Sequence, residues 1–175
     1  MRNKKIKRLK NRLNYLINNL NFLIKTFYFN KLKSCENFVY SDGGRRKSKS
    51  PGEYNDCTVR ALSIALNEDY DKVHDFFYKN GRKYRQGVFF ETIIKRYNKK
   101  RKLIFGHKVY KIPNQYITIK NFLFHNREKE SIFLITSEAH IICIKNNRVY
   151  DLSPSFQYCE TDNIIMDAFQ VEKVK

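Results

Sequence analysis

Three residues of this chain carry side chains that could act as a nucleophile, a base and the group that orients the base: Cys57, His140 and Asp151. Cys57 follows Asp56 at the head of a stretch with apolar positions Val59, Leu62, Ala65 and Leu66. That spacing predicts a helix with Asp56 as its N-cap. Backbone N–H groups and the helix dipole at such a terminus favour thiolate over thiol, which a nucleophilic cysteine requires. By itself a cysteine is more often a small core residue, so the base matters. His140 leads the apolar run Ile141-Ile142-Cys143-Ile144, and Asn146-Asn147 separates that run from Val149-Tyr150-Asp151. Two residues tolerant of positive φ between β-rich runs predict a two-residue hairpin. Lys145 then faces Arg148 and Ile142 faces Asp151, so His140 and Asp151 become diagonal neighbours on one face. A carboxylate beside an imidazole there can orient a general base. A polar pair that merely satisfies itself is the plainer alternative, and a register slip of one residue would separate the two.

The elements that must position these residues follow from periodicity. A second helix is expected over 69–80, with Val73, Phe76 and Phe77 inward and Gly81 as its stop. A third follows Gly87, using Phe89, Phe90, Ile93, Ile94 and Tyr97. Strands are expected over 103–110, 132–136, 140–145, 148–152 and 168–174, with a short helix from Thr118. Helices first and an antiparallel sheet after them make an α+β layout. Upstream, Ile6, Leu9, Leu13, Leu16, Leu20, Leu23 and Phe27 form a heptad seam. It suits packing within the chain, self-association or a partner helix, or contact with lipid or nucleic acid. Residues 41–53, rich in Gly, Ser, Lys and Arg, read as a linker. The expected organisation is a basic amphipathic segment over 1–40, that linker, and a domain over 54–175.

The net charge is +18, and ten positive charges precede Glu36, the first acidic residue. Such an imbalance favours nucleic acid, anionic lipid or an acidic protein as partner. Arg45, Arg46 and Lys47, then Arg82, Lys83 and Arg85, then Lys99, Lys100 and Arg101 are the candidate polyanion contacts. A solvated surface in a lysine-rich chain is the bland alternative. No zinc finger, RNP motif or Walker loop is present. The wealth of Asn, Lys, Ile and Tyr fits an AT-rich genome, such as that of a phage or other virus. Cys35, Cys57, Cys143 and Cys159 form no CxxC pair, which points to a reducing compartment: cytoplasm, including that of an infected host cell, or a virion. The segment 13–29 is broken by Asn and Lys and lacks a small-residue cleavage site, so neither a signal peptide nor a transmembrane helix is expected. His140 and Cys143 are three apart on a strand and point to opposite faces, so no metal site is assigned, and no motif calls for a cofactor. His107 reads as a core histidine, and His74 and His125 read as solvated.

The segment Asn55-Asp56-Cys57-Thr58-Val59-Arg60-Ala61-Leu62 resembles the nucleophile segment of small phage-encoded members of the papain-like cysteine peptidase superfamily. It is similar, more loosely, to that of OTU-type deubiquitinases. Glu138-Ala139-His140-Ile141-Ile142 and Val149-Tyr150-Asp151 resemble the phage proteins' histidine hairpin and acidic residue, so the likeness covers about residues 53–155. It implies an antiparallel sheet packed on the nucleophile helix, a Cys57–His140–Asp151 triad, and a peptide, protein or ubiquitin-like substrate cleaved at an amide bond. The glutamine that papain places before its cysteine is missing, position 51 being Pro, and Asn55 is the nearest substitute as an oxyanion donor. The alternative is an inactive fold retained for binding nucleic acid or protein.

Overall fold

A computed structural model describes residues 37–113, 118–126, 130–137, 140–152 and 165–174. The heptad seam, Cys35 and Cys159 lie outside the described residues. Residues Asn37–Lys175 form one compact unit.

Four α-helices and a six-stranded mixed sheet are present among the described residues. In chain order they are β1 (Phe38–Tyr40), α1 (Cys57–Leu66), α2 (Tyr70–Lys79), α3 (Phe90–Lys99), β2 (His107–Ile112), α4 (Ile119–Asn126), β3 (Ile132–Thr136), β4 (Ile141–Lys145), β5 (Arg148–Asp151) and β6 (Asp167–Lys173). The sheet order is β1-β5-β4-β3-β6-β2. All neighbours run antiparallel except β1, which lies parallel to β5 with Phe38 opposite Val149 and Tyr40 opposite Asp151.

Apolar alternation sends side chains to both faces of this sheet. Val59, Leu62, Val73, Phe77, Ile93 and Ile94 of α1–α3 pack with Leu134, Cys143 and Phe169 of the strands. On the other face, Ile119 and Phe122 of α4 pack with Phe133, Ile135, Ile142 and Ile144. The central strand β4 is therefore buried on both sides, and its unbroken Ile-Ile-Cys-Ile run suits that place.

The hairpin between β4 and β5 has the expected register. Lys145 faces Arg148, Ile144 faces Val149 and Cys143 faces Tyr150. Asn146 and Asn147 have φ of 50° and 58°, the left-handed pair that a tight two-residue turn requires.

Two sequence expectations need correction here. The strand read over 103–110 begins only at His107, because Phe105 and Gly106 take φ of 49° and 76° and turn the chain back, with Ile104 bridging His107. The segment read as a linker is also part of the folded unit. β1 joins the sheet edge, Arg45–Lys47 form a 3-10 turn, and Glu53 is buried. The loop passes so close to α1 that a Cβ on Gly43 would fall 2.9 Å from the Arg60 Cα. Gly43 has φ +62°, so glycine serves both the turn and the close approach.

Candidate active site

Cys57 is the first residue of α1, His140 immediately precedes β4, and Asp151 ends β5. The hairpin register sets the last two side by side, and the packing of α1 on β4 brings the helix N-terminus to them. His140 Nε2 lies 2.9 Å from Asp151 Oδ2. The Cys57 thiol lies close enough to the same imidazole and to the Ile141 backbone N–H for both to act on it electrostatically.

The electrostatics follow. Burial raises the Cys57 pKa, but the His140 ring, the Ile141 N–H and the nearby Arg60 outweigh it and hold the thiol below its ordinary value. Burial works against protonated His140, yet its bonds to Asp151 and Cys57 lift it to about 9. Asp151 resists burial through His140 and Arg60 and falls to about 2. All three shifts run in the direction that favours a thiolate–imidazolium pair backed by a carboxylate.

Asp56 does not do what its position suggests. It is the N-cap residue, but its carboxylate accepts nothing from the backbone of α1. Buried at 2% exposure, it receives Arg60 Nε at 3.0 Å and Arg45 Nη1 at 3.3 Å on Oδ1, and the Tyr70 hydroxyl at 2.8 Å on Oδ2. Three hydrogen bonds, two of them from cations, outcompete one cap. As a result the carboxylate next to Cys57 in the chain is neutralised elsewhere. The first intrahelical bond runs from the Arg60 N–H to the Asp56 carbonyl, so the N–H groups of Cys57, Thr58 and Val59 precede the ladder.

A cleft of about 460 Å³ opens over Cys57 and His140. Gly87, Val88, Phe89 and Phe90 form one wall, and Thr136, Ser137, Ile141 and Met166 the other. Phe89 and Met166 expose 87% and 59% of their surface, so the rim is apolar. Glu91 and Asp167 also line the cleft, Glu91 paired with Lys95 and Asp167 with Lys111.

Asn55 has φ +54° and its amide nitrogen donates to the Arg85 carbonyl at 3.2 Å. It is exposed and is not among the residues lining the cleft, unlike Cys57 and His140. The basic clusters divide. Arg46, Lys47, Lys83, Lys99, Lys100 and Arg101 are exposed. Arg85 is exposed and sits over the Tyr54 and Tyr84 rings at 4.9 and 5.0 Å. Two members are corrected. Arg82 is buried with Nη2 3.2 Å from Glu53 Oε1, and Arg45 donates to Asp56 and the Glu53 carbonyl. Both are internal counterions to buried acids and cannot present their charge to a polyanion. His74 is likewise not solvated, because Nε2 meets Glu53 at 3.1 Å and its ring stacks on Tyr70. His107 is buried, with Nδ1 on the Phe105 carbonyl.

Sequence reasoning did not single out Arg60, although one cation in the otherwise uncharged Cys-Thr-Val-Arg-Ala-Leu-Ser-Ile-Ala-Leu helix was a readable signal. Among the described residues there is no cluster of three metal-ligating side chains, and no helix is long and apolar enough to cross a membrane. No family model, curated protein or solved structure matches this chain.

Proposed function

We propose that this domain is a cysteine-dependent hydrolase of papain-like build that cleaves peptide or isopeptide bonds. One observation carries the reading: an imidazole hydrogen-bonded to a buried carboxylate and set beside a helix-terminal thiol in the lining of one open cleft. The Cys57 thiolate attacks the substrate carbonyl carbon and the π electrons move to oxygen. The Cys57 backbone N–H, left free of any cap, donates to that oxyanion in place of Asn55. His140 gives its proton to the leaving amine as the C–N bond breaks, which leaves an acyl thioester on Cys57. Neutral His140 then takes a proton from water, the hydroxide adds to the thioester, and the carboxylic acid departs as the thiol and imidazole recover their starting state. Asp151 holds the ring through both steps.

The test is turnover of fluorogenic peptides and a ubiquitin-type amide reporter. Wild type hydrolyses at least one, Cys57→Ala hydrolyses none, and Asp151→Asn loses about 10²–10⁴-fold in kcat. Hydrolysis that survives unchanged in Cys57→Ala would sink the mechanism.

A further inference from the structure

Arg60 is the only charged residue of α1, and its side chain donates to two carboxylates: that of Asp151 and that of Asp56, which precedes Cys57. Nη1 donates to Asp151 Oδ1 at 2.7 Å and Nε to Asp56 Oδ1 at 3.0 Å, with 7% of the side chain exposed. Asp151 Oδ2, the other oxygen, meets His140. A carboxylate on a short stem can turn about its last torsion. Held through one oxygen by a rigid fork, it presents the second to the imidazole. The frame around this contact is tight. Gly43 packs on the Arg60 backbone, and the Ser41 N–H donates to the Asp151 carbonyl at 2.8 Å.

We propose that Arg60 is the positioning residue of the triad, fixing Asp151 so that one oxygen holds the His140 ring while drawing the Asp56 carboxylate away from the Cys57 sulfur. Its importance for catalysis rests on the hydrolase reading; its effect on the triad can be measured without turnover. Among the described residues, the charged and titratable groups acting on the His140 ring are Cys57 from α1 and Asp151 from β5, with Arg60 of α1 on Asp151. Asp56 faces Arg60, with Arg45 and Tyr70 behind it. Across the cleft stand Glu91 and Asp167, paired with Lys95 and Lys111.

The experiment uses the full chain with Arg60→Lys, which keeps the charge but loses the fork. Two readouts are followed against pH: the His140 imidazole by NMR, and mass-mapped alkylation of Cys57 by iodoacetamide. The His140 midpoint falls by about one pH unit. The acid limb of Cys57 alkylation moves up by a similar step, so the rate at a fixed pH below the limb drops roughly tenfold. In an Asp151→Asn background the effect of Arg60→Lys on the His140 midpoint collapses, because the two residues act in series. Asp56→Asn, which leaves the Arg60–Asp151 bond in place, keeps the His140 midpoint at its wild-type value. Superimposable titrations of wild type and Arg60→Lys would overturn the proposal. So would an undiminished effect on His140 in the Asp151→Asn background, or a fall in Asp56→Asn as large as in Asp151→Asn; each would reduce Arg60 to a structural counterion. Neither readout needs hydrolysis, so a protein without turnover refutes the enzyme reading and leaves this result standing.

Discussion

Cys57 and Cys143 stand in opposite surroundings. Cys143 is wholly buried in β4, and desolvation pushes its thiol up to about 12. Cys57 borders the cleft beside the His140 imidazole, and its thiol is held below its ordinary value. Limiting iodoacetamide near neutral pH should therefore label Cys57 at least ~10-fold faster than Cys143, read by peptide mapping. Asp151 supplies a pH signature of its own. Its pKa falls from 3.8 to about 2 in the folded protein, so its stabilisation is complete above 3.8 and is lost as pH falls through about 2. Thermal melts of wild type and Asp151→Asn should converge as pH is lowered from 5 to 2. The His140–Asp151 pair was legible in the sequence because a local signal, Asn146-Asn147, fixes the register that joins them. Asp56 was misread because caps are judged from neighbours in sequence, whereas two of its three side-chain donors, Arg45 and Tyr70, arrive from other elements. Arg60→Met, which leaves both acids buried without their shared cation, should cost about 3–5 kcal/mol in urea unfolding.

At the level of elements, the starts of α1 and α2 are solved differently. α2 has an ordinary cap: Asp69 accepts from the Asp71 and Lys72 N–H groups. Asp69→Ala should lower stability by about 1 kcal/mol without touching Cys57 reactivity. α1 forgoes a side-chain cap, which leaves its first N–H groups open at the sulfur. The loop before it depends on one backbone choice. Gly43→Ala sets a Cβ against the Arg60 backbone at positive φ and should cost about 1–3 kcal/mol, together with slower Cys57 alkylation. The 41–53 stretch has the composition of a linker, and only the buried Glu53 and the Arg45 contacts reveal otherwise. Composition reports solubility, whereas ion pairs to distant residues decided this case. The free edge strands are modest. β1 has three residues, and β2 carries Lys108 and Lys111, features that discourage pairing with another chain.

For the whole molecule, the sheet draws on both ends of the folded unit, because β1 precedes the nucleophile and pairs with β5 near the far end. A chain beginning at Asn37 should keep a cooperative melt and a reactive Cys57. One beginning at Tyr54 loses β1, Gly43, Arg45 and Glu53, and should melt lower with Cys57 alkylated more slowly. Equal melting of the two truncations would show that the 37–53 segment adds nothing. The same topology sets an order of events during synthesis. Cys57 leaves the ribosome well before His140 and Asp151 exist. Until β5 is made and β1 finds it, the thiol has no base and no orienting acid, and it keeps the proton of an ordinary cysteine. A nascent chain that ends before Asp151 should therefore be chemically dormant, and the cell making it meets the activated thiol only after translation of the domain is nearly complete.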